Sequence, residues 1–327
     1  MREFEFIRGI RSLSGSPRNP VIKAIGDDCA IIPYTKNSDM IITTDSFCEG
    51  AHFSRKYFSP FEIGAHAFAA SVSDICAMGG RPLYALVNLA YPKKTPQNYI
   101  DTLYKGIMDY ADNYCTDIIG GDTISAPQIM VSVTVVGEVE RGKALRRDGA
   151  RAGDSIFVTG TLGDSHAGLK ILLKKSRTKL KAHEYMPVKK HILPQPAYME
   201  GRVLLQSNLV NACMDVSDGI VSDIARICEE SGTGAIIDVD SLPVSFSAHK
   251  TAQQFGEAVT DYALYGGEDF VLMFTAAKKN RKKLAGYLEE NSLTAFEVGT
   301  ITKKKGISLL KNGKLTKENG KKAWNHF

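Results

Sequence analysis

Runs of apolar and polar residues alternate along this chain in two periods, and the first half shows both. Residues 40–44, Met-Ile-Ile-Thr-Thr, predict a short β-strand that stops at Asp45. Residues 61–78 are alanine-rich and apolar with a stop signal behind them, Gly79-Gly80 and then Pro82, and so predict a helix. Residues 83–90 and 130–139 read as strands, the second a valine repeat suited to a half-buried sheet. Between them, 99–114 has helical spacing, and 117–120 predicts a short strand leading into a glycine turn.

The charged segment 138–144, which contains Gly142, separates two blocks that each carry their own apolar elements, and it reads as the linker. In the second block, 155–159 predicts a strand and 160–165 a turn into a helix at 166–174. A helix near 196–206, a strand at 212–214, a helix at 220–230 and strands at 235–239 and 270–275 follow. Ile220, Ile224, Ile227 and Cys228 fall at helical spacing, so that helix buries one face. The expected class is α/β or α+β, in two domains with two cores and no internal repeat.

Composition changes this picture little. The chain has 327 residues, 43% hydrophobic and 24% charged, which is ordinary globular composition. The formal net charge of +5 is carried by uneven lysines, many within 169–190 and 303–322, and no recognisable motif accompanies them, which argues against a nucleic-acid partner. The six cysteines, Cys29, Cys48, Cys76, Cys115, Cys213 and Cys228, lie far apart without a C-x-x-C pair and read as reduced, mostly buried thiols. No apolar run approaches membrane-spanning length and no apolar leader region is visible, so the expectation is a soluble, cytoplasmic protein with no membrane partner.

Acidic residues change it most. Aspartates end strand-like runs or interrupt an apolar helix face at Gly26-Asp27-Asp28, Thr43-Thr44-Asp45, Ser73-Asp74, Gly120-Gly121-Asp122 and Asp215-Val216-Ser217-Asp218. So many carboxylates beside buried segments would repel one another unless cations sat among them. Asp74 has small or apolar helical neighbours, Ala67, Ala70, Ser71, Ala77 and Met78, and so needs a metal, a proton or an arginine such as Arg81. Asp218 could instead cap the helix that follows it, and Arg146, Arg147 and Arg151 could be a solvated cluster. Magnesium takes hard oxygen ligands together with substrate phosphates, and an arginine such as Arg147 can grip phosphate bidentately. Neither a G-x-x-x-x-G-K-[ST] loop nor a convincing G-x-G-x-x-G turn is present, and no nucleophile triad can be argued from seven scattered histidines. Phosphoryl transfer to an acceptor phosphate needs no protein nucleophile, because a phosphomonoester with a second pKa of about 6 is already anionic.

At this point the motifs resemble a known family. Gly26-Asp27-Asp28-Cys29-Ala30, Thr43-Thr44-Asp45 with Glu49-Gly50-Ala51-His52-Phe53, Ser73-Asp74-Ile75-Cys76-Ala77-Met78-Gly79-Gly80, Gly120-Gly121-Asp122, Arg147-Asp148-Gly149-Ala150, Met214-Asp215-Val216-Ser217-Asp218-Gly219, Gly266-Gly267-Glu268-Asp269 and the terminal Trp324-Asn325-His326-Phe327 are similar in order and type to the thiamine-monophosphate kinases. The resemblance covers nearly the whole chain. It implies a two-domain PurM-like fold, related to aminoimidazole ribonucleotide synthetase. An N-terminal ATP/Mg-binding and dimerisation domain over 1–140 would form an intersubunit β-barrel in a homodimer, a C-terminal α/β domain would span 145–305, and a tail over 306–327 would contribute to the substrate site. It implies transfer of the ATP γ-phosphate to thiamine monophosphate, giving thiamine diphosphate and ADP, the last step of thiamine diphosphate biosynthesis.

The same resemblance implies roles for residues. Asp28, Thr43, Thr44, Asp45, Asp74, Asp122, Asp215 and Asp218 would be the set for several Mg²⁺ ions, with K⁺ as an optional companion. Gly121, Asp122, Arg147 and Ser217 would hold ATP with Tyr104 near the nucleotide, Asp218 and Arg147 would be catalytic, and His52, Glu268 and Trp324 would hold the substrate. An aromatic face suits a cationic thiazolium, and a carboxylate can accept from an aminopyrimidine amine. The alternatives weighed against this reading are an aminoimidazole ribonucleotide synthetase-like ligase and a non-catalytic Mg-nucleotide sensor. The chain shows neither the reactive N-terminal cysteine of selenophosphate synthetases nor the C-terminal cysteine motif of the hydrogenase-maturation members.

Overall fold

A computed structural model describes residues 3–14, 17, 19–175 and 177–318 of the protein. Helix α1 (Glu3–Ser14) precedes strands β1 (Ala30–Pro33) and β2 (Ser38–Cys48), then come helix α2 (Pro60–Ala77), strand β3 (Arg81–Tyr91), helix α3 (Gln97–Asn113) and strands β4 (Asp117–Ser125) and β5 (Met130–Glu140). These strands form one sheet in the order β1-β2-β5-β3-β4, antiparallel except for the parallel pair β3/β4, whose crossover is α3. The second half contributes β6 (Asp154–Val158), α4 (Asp164–Lys174), α5 (Tyr185–Ile192), α6 (Tyr198–Ser207), β7 (Val210–Asp215), α7 (Ile220–Ser231), β8 (Gly234–Asp238), α8 (Phe246–Phe255), α9 (Val259–Tyr265), β9 (Leu272–Ala277), α10 (Arg281–Glu290), β10 (Phe296–Thr302), β11 (Gly306–Lys311) and β12 (Lys314–Lys317). Its seven strands run β12-β11-β8-β10-β6-β9-β7. The class is mixed α/β, as expected.

Helix α2 is the axis of the molecule. Ser59 and Glu62 close a capping box at its start, Ser59 Oγ accepting from the Glu62 amide at 3.4 Å and Glu62 Oε2 accepting from the Ser59 amide at 2.8 Å, with Pro60 in the first turn. Gly79, with φ of +68°, ends it, as the glycine pair predicts. Nearly every residue between is buried, because α2 packs on β2 and β5, on α3, and on α6 and β7 of the second half. The largest apolar core therefore does not stop at the boundary. It joins Ile41, Phe68, Val72 and Val133 to Ile171, Ile192, Leu204 and Phe274, while a second core of Ile156, Met214, Ile224 and Ile237 lies under α7 and a small third one surrounds Tyr262.

Four local expectations are corrected. Strand β2 does not stop at Asp45 but continues to Cys48, because Ser46 and Phe47 keep pairing with Ser132 and Val131 of β5. Residues 117–120 do not lead into a glycine turn: Gly120, Gly121 and Asp122 stay in the ladder opposite Leu86, Val87 and Asn88. The linker is shorter than 138–144, since Glu138–Glu140 complete β5. Residues 306–317, grouped with the tail, add β11 and β12 to the second sheet. Among the described residues no helix is long and apolar enough to cross a membrane.

Candidate active site

Strand β2 points its odd-numbered side chains inward, and this alternation sorts the acidic motifs. Ile41, Thr43 and Phe47 are buried on the inner face and Asp45 follows the same parity, whereas Thr44 and Ser46 face outward and meet Thr134 and Ser132 through hydroxyl contacts of 2.9 and 2.6 Å. The last turn of α2 lies across the inner face, so Thr43 Oγ1 donates to Asp74 Oδ2 at 2.5 Å. Strand β7 ends beside the same turn, and Ser73 Oγ donates to Asp215 Oδ2 at 2.6 Å. Asp28, in the loop entering β1, completes the group. One oxygen from each of Asp28, Asp74 and Asp215 lies within 4.8 Å of the others.

Among the described residues only one cation reaches this trio directly. Arg147 pairs with Asp28 Oδ1 and is largely buried, so the solvated-cluster reading of that arginine does not hold. The other oxygen, Asp28 Oδ2, is buried with no hydrogen-bond partner. The alternative partner proposed for Asp74 is also ruled out, because Arg81 pairs with Glu138. Burial first, then Asp45, Asp215 and Asp28, push the Asp74 carboxyl well above its ordinary value. Burial and then Asp28 push Asp215 up to about 7, against the Ser73 hydroxyl. Burial opposes the charge on Arg147, but Asp28 outweighs it and raises the guanidinium. Asp45 is pushed up by desolvation and then by Asp218; since the residue is exposed, the neighbouring charges carry the greater weight.

Asp218 does not cap α7. Gly219 holds the cap position, with φ of +97°, and Asp218 pairs with Arg226 one helix face away. The turn that carries Ser217 and Asp218 is held by Asp223, whose Oδ2 accepts from both of their backbone amides at 3.1 Å. Neither Asp223 nor Arg226 was identified from the sequence. Their i,i+5 and i,i+8 spacing to Asp218 spans the strand-to-helix turn and has no helical signature.

The remaining expected residues fall elsewhere. The register Ser46–Ser132–Asn88–Asp122 places Asp122 on the outer face of the first sheet, with Thr44 and opposite to Asp45. It lies three strand steps from β2, about 14 Å at the usual spacing. Gly121 precedes it with φ of +151°, and a Cβ there would stand 1.8 Å from the Val87 carbonyl oxygen, so only glycine fits. Tyr104 hydrogen-bonds Thr123 next to them. His52 lies beyond β2, its Nδ1 accepting from the Cys48 amide at 3.0 Å and its ring stacked near Phe47. Glu268 has φ of +61° and donates its amide to the Ser217 carbonyl at 2.8 Å, so it sits against the turn of Asp218. Trp324 lies outside the described residues, but Tyr265 donates to Glu318 Oε2 at 2.8 Å, so the chain enters its last segment beside the Glu268 loop.

Comparison with known proteins agrees with this arrangement. The family described as AIR synthase related protein matches by its N-terminal domain over residues 26–139 and by its C-terminal domain over 151–312. Thiamine-monophosphate kinase of Bacillus subtilis is 36% identical over the whole of both chains, and that of Aquifex aeolicus 35% identical over 93% of each. The solved structure of AaThiL complexed with AMPPCP and TMP superposes with a TM-score of 0.87 at 33% identity, covering 100% of this chain and 97% of that one. Identity at this level along the full length, on the same fold and with the acidic motifs in place, means that the chain belongs to the thiamine-monophosphate kinase family.

Proposed function

We infer that the protein phosphorylates thiamine monophosphate with ATP, giving thiamine diphosphate and ADP. The observation that carries this reading is the trio Asp28, Asp74 and Asp215, three carboxylates within 4.8 Å that have one arginine among them and an orphaned oxygen at Asp28. Such a set has the donor type and charge deficit that Mg²⁺ satisfies. Asp28, Asp74, Asp215 and Thr43, with Asp45 and Asp218 at the margin, would hold the ions. When bound, Mg²⁺ would supply the positive charge that neutralises the phosphates during transfer.

The chain's own groups do the rest. Arg147, held by Asp28, would grip a phosphate that enters beside it, and Ser217 and Asp218, whose turn is fixed by Asp223, would complete the nucleotide site. The acceptor phosphate is already an anion at neutral pH, so no side chain need remove a proton. One of its oxygens bonds to the γ-phosphorus as the bond to the β,γ-bridging oxygen breaks, and ADP leaves with that electron pair. Catalysis then consists of alignment and charge neutralisation.

The outer face of β3 and β4 supports a homodimer. Tyr84, Leu86, Ile119 and Ile124 are exposed there and β4 has a free edge among the described strands. A second copy seated on that face, as in an intersubunit barrel, would cover the strand face that carries Asn88 and Asp122. The division into an N-terminal unit over 1–140 and a C-terminal unit starting at 145 fits this reading, the second unit running on through β11 and β12.

The test is chromatography of products after mixing the purified protein with MgATP and thiamine monophosphate, alongside EDTA and no-acceptor controls. Equal amounts of thiamine diphosphate and ADP that vanish with EDTA support the reading. ATP binding without thiamine diphosphate would reject it in favour of a nucleotide sensor or another acceptor.

A further inference from the structure

Behind Glu268 stand two histidines that the sequence reading passed over. His66, on α2, brings Nε2 to 3.4 Å from Glu268 Oε1, and His191, on α5, brings Nδ1 to 3.2 Å from Oε2. Each is 1% exposed, and Glu268 keeps 26% of its side chain open. The two imidazoles thus occupy both carboxylate oxygens from the protein side and leave the other side of the group facing outward. His191 Nδ1 also lies 3.1 Å from Ser165 Oγ, and the Ser165 amide donates to Asp269 Oδ1 at 3.1 Å, which ties the clamp back to the next residue of the loop.

The rings themselves cannot turn freely. His66 stacks on Phe47 with centroids 4.3 Å apart and planes at 14°, and Phe58 and Phe270 meet its edges. His191 sits edge-on to Phe58 at 5.7 Å. Phe47 in turn carries His52 at 5.8 Å. One aromatic ring therefore links the clamp to the other described member of the substrate set. Among the described residues neither nitrogen of His66 has an aligned hydrogen-bond partner, nor does Nε2 of His191, so besides ring packing and the Ser165 hydroxyl the polar group within reach of both rings is Glu268. Burial opposes ionisation of Glu268, but His66 and His191 hold its carboxyl well below the usual range.

We propose that His66 and His191 are positioning residues that fix the Glu268 carboxylate in one orientation, so that its open side receives the cationic, amine-bearing organic part of the acceptor. The proposal rests on the kinase reading above and deepens it by assigning acceptor recognition to a clamp built from both halves of the chain. ATP has no part in it.

The test is steady-state kinetics of His66→Leu, His191→Leu, His66→Gln and His191→Asn, alone and in a Glu268→Gln background, with MgATP and thiamine monophosphate varied separately. We expect each leucine variant to raise the KM for thiamine monophosphate about tenfold, in the range of groups that orient a ligand-binding side chain, and to leave the KM for ATP within twofold. The amide variants should recover most of the loss. In the Glu268→Gln background the second change should add less than twofold, because the group it positions is gone. A parallel rise in both KM values, full additivity with Glu268→Gln, or an unchanged acceptor KM would overturn the clamp. Wild-type protein that fails to turn over thiamine monophosphate would overturn the kinase reading and the clamp with it; active wild type whose Glu268→Gln responds while the histidine variants do not would overturn the clamp alone. Should a leucine variant fail to fold, the amide variants still decide.

Discussion

Two clusters of carboxylates meet at Arg146-Arg147-Asp148, and they differ in how their charge is balanced. On one side, Lys23 Nζ lies 2.9 Å from Glu230, 3.1 Å from Asp148 and 3.6 Å from Asp27, while Arg11 reaches Glu230 at 2.6 Å and Arg146 pairs with Asp148. Three carboxylates face three cations. On the other side, among the described residues, Asp28, Asp74 and Asp215 face Arg147 alone, and Asp45 nearby adds a further carboxylate. The ionisation follows: burial works against Asp148, yet Lys23 and Arg146 bring its carboxyl below the ordinary value, whereas Asp215 is pushed up to about 7. Asp27 stands between, raised to about 7 by burial and then by Asp28 despite its contacts to Lys23 and the Arg147 amide. A carboxylate cluster points to a bound cation only where the protein leaves it unbalanced, so Asp148 and Asp28 share a residue class and not a role.

Substitution on the unbalanced side gives the sharpest test. Asp215→Asn removes a buried charge from a set that repels itself, so we expect turnover to fall by about 10³-fold, at the upper end for loss of one electrostatic group, while stability in EDTA is unchanged or raised. Kinetics and denaturant unfolding on the same sample measure both. A variant that loses apo stability and keeps its turnover would place Asp215 with the structural cluster.

On the balanced side the expectation reverses. Lys23 is 9% exposed and holds three carboxylates, so Lys23→Met strands buried charge and should lower unfolding stability by about 3 kcal/mol, the low end for breaking a buried pair. Turnover per folded molecule should stay within a few-fold. Urea titration followed by assay in the native baseline checks this, and a catalytic loss like that of Asp215→Asn would merge the two clusters.

The sequence shows one part of this comparison well. The helix that carries Asp74 is legible because its apolar run and terminal glycines agree, and the motifs that flank it stand in a rare combination. Charge balance is not legible, since Lys23, Asp148 and Glu230 are brought together over separations of 125 and 207 residues. Nor is the sidedness of a strand whose end is misjudged: once β2 runs through Asp45, parity separates Thr43 from Thr44, and cross-strand register carries that separation to Asp122. His66 reads as one more polar residue on an apolar helix, and only the fold shows that Glu268, some 200 positions on, faces it. The glycines of β4 suggest a turn in sequence, but one of them permits a close approach of two strands.

Titration should separate the clusters by a smaller margin. Asp215 has a folded value of about 7 against about 3.9 for a free aspartate, so without metal the native state retains a proton that the unfolded chain has released. Its contribution to stability is therefore greatest below pH 4 and is lost as pH rises through about 7. Asp148 has the opposite sign: its folded value is lowered, so its contribution is present at neutral pH and lost only as pH falls into the acid range. Mg²⁺ needs ionised carboxylates and competes with the proton on Asp215. The rise in melting temperature on adding Mg²⁺ should thus be a few °C larger at pH 8 than at pH 6 in the wild type, on the scale of 1–2 kcal/mol for a chain of this size. That difference should shrink in Asp215→Asn and persist in Lys23→Met. Equal Mg²⁺ increments at both pH values would mean that the crevice is already ionised at pH 6, which would place in the structure a further cation that balances it as Lys23 balances its neighbours.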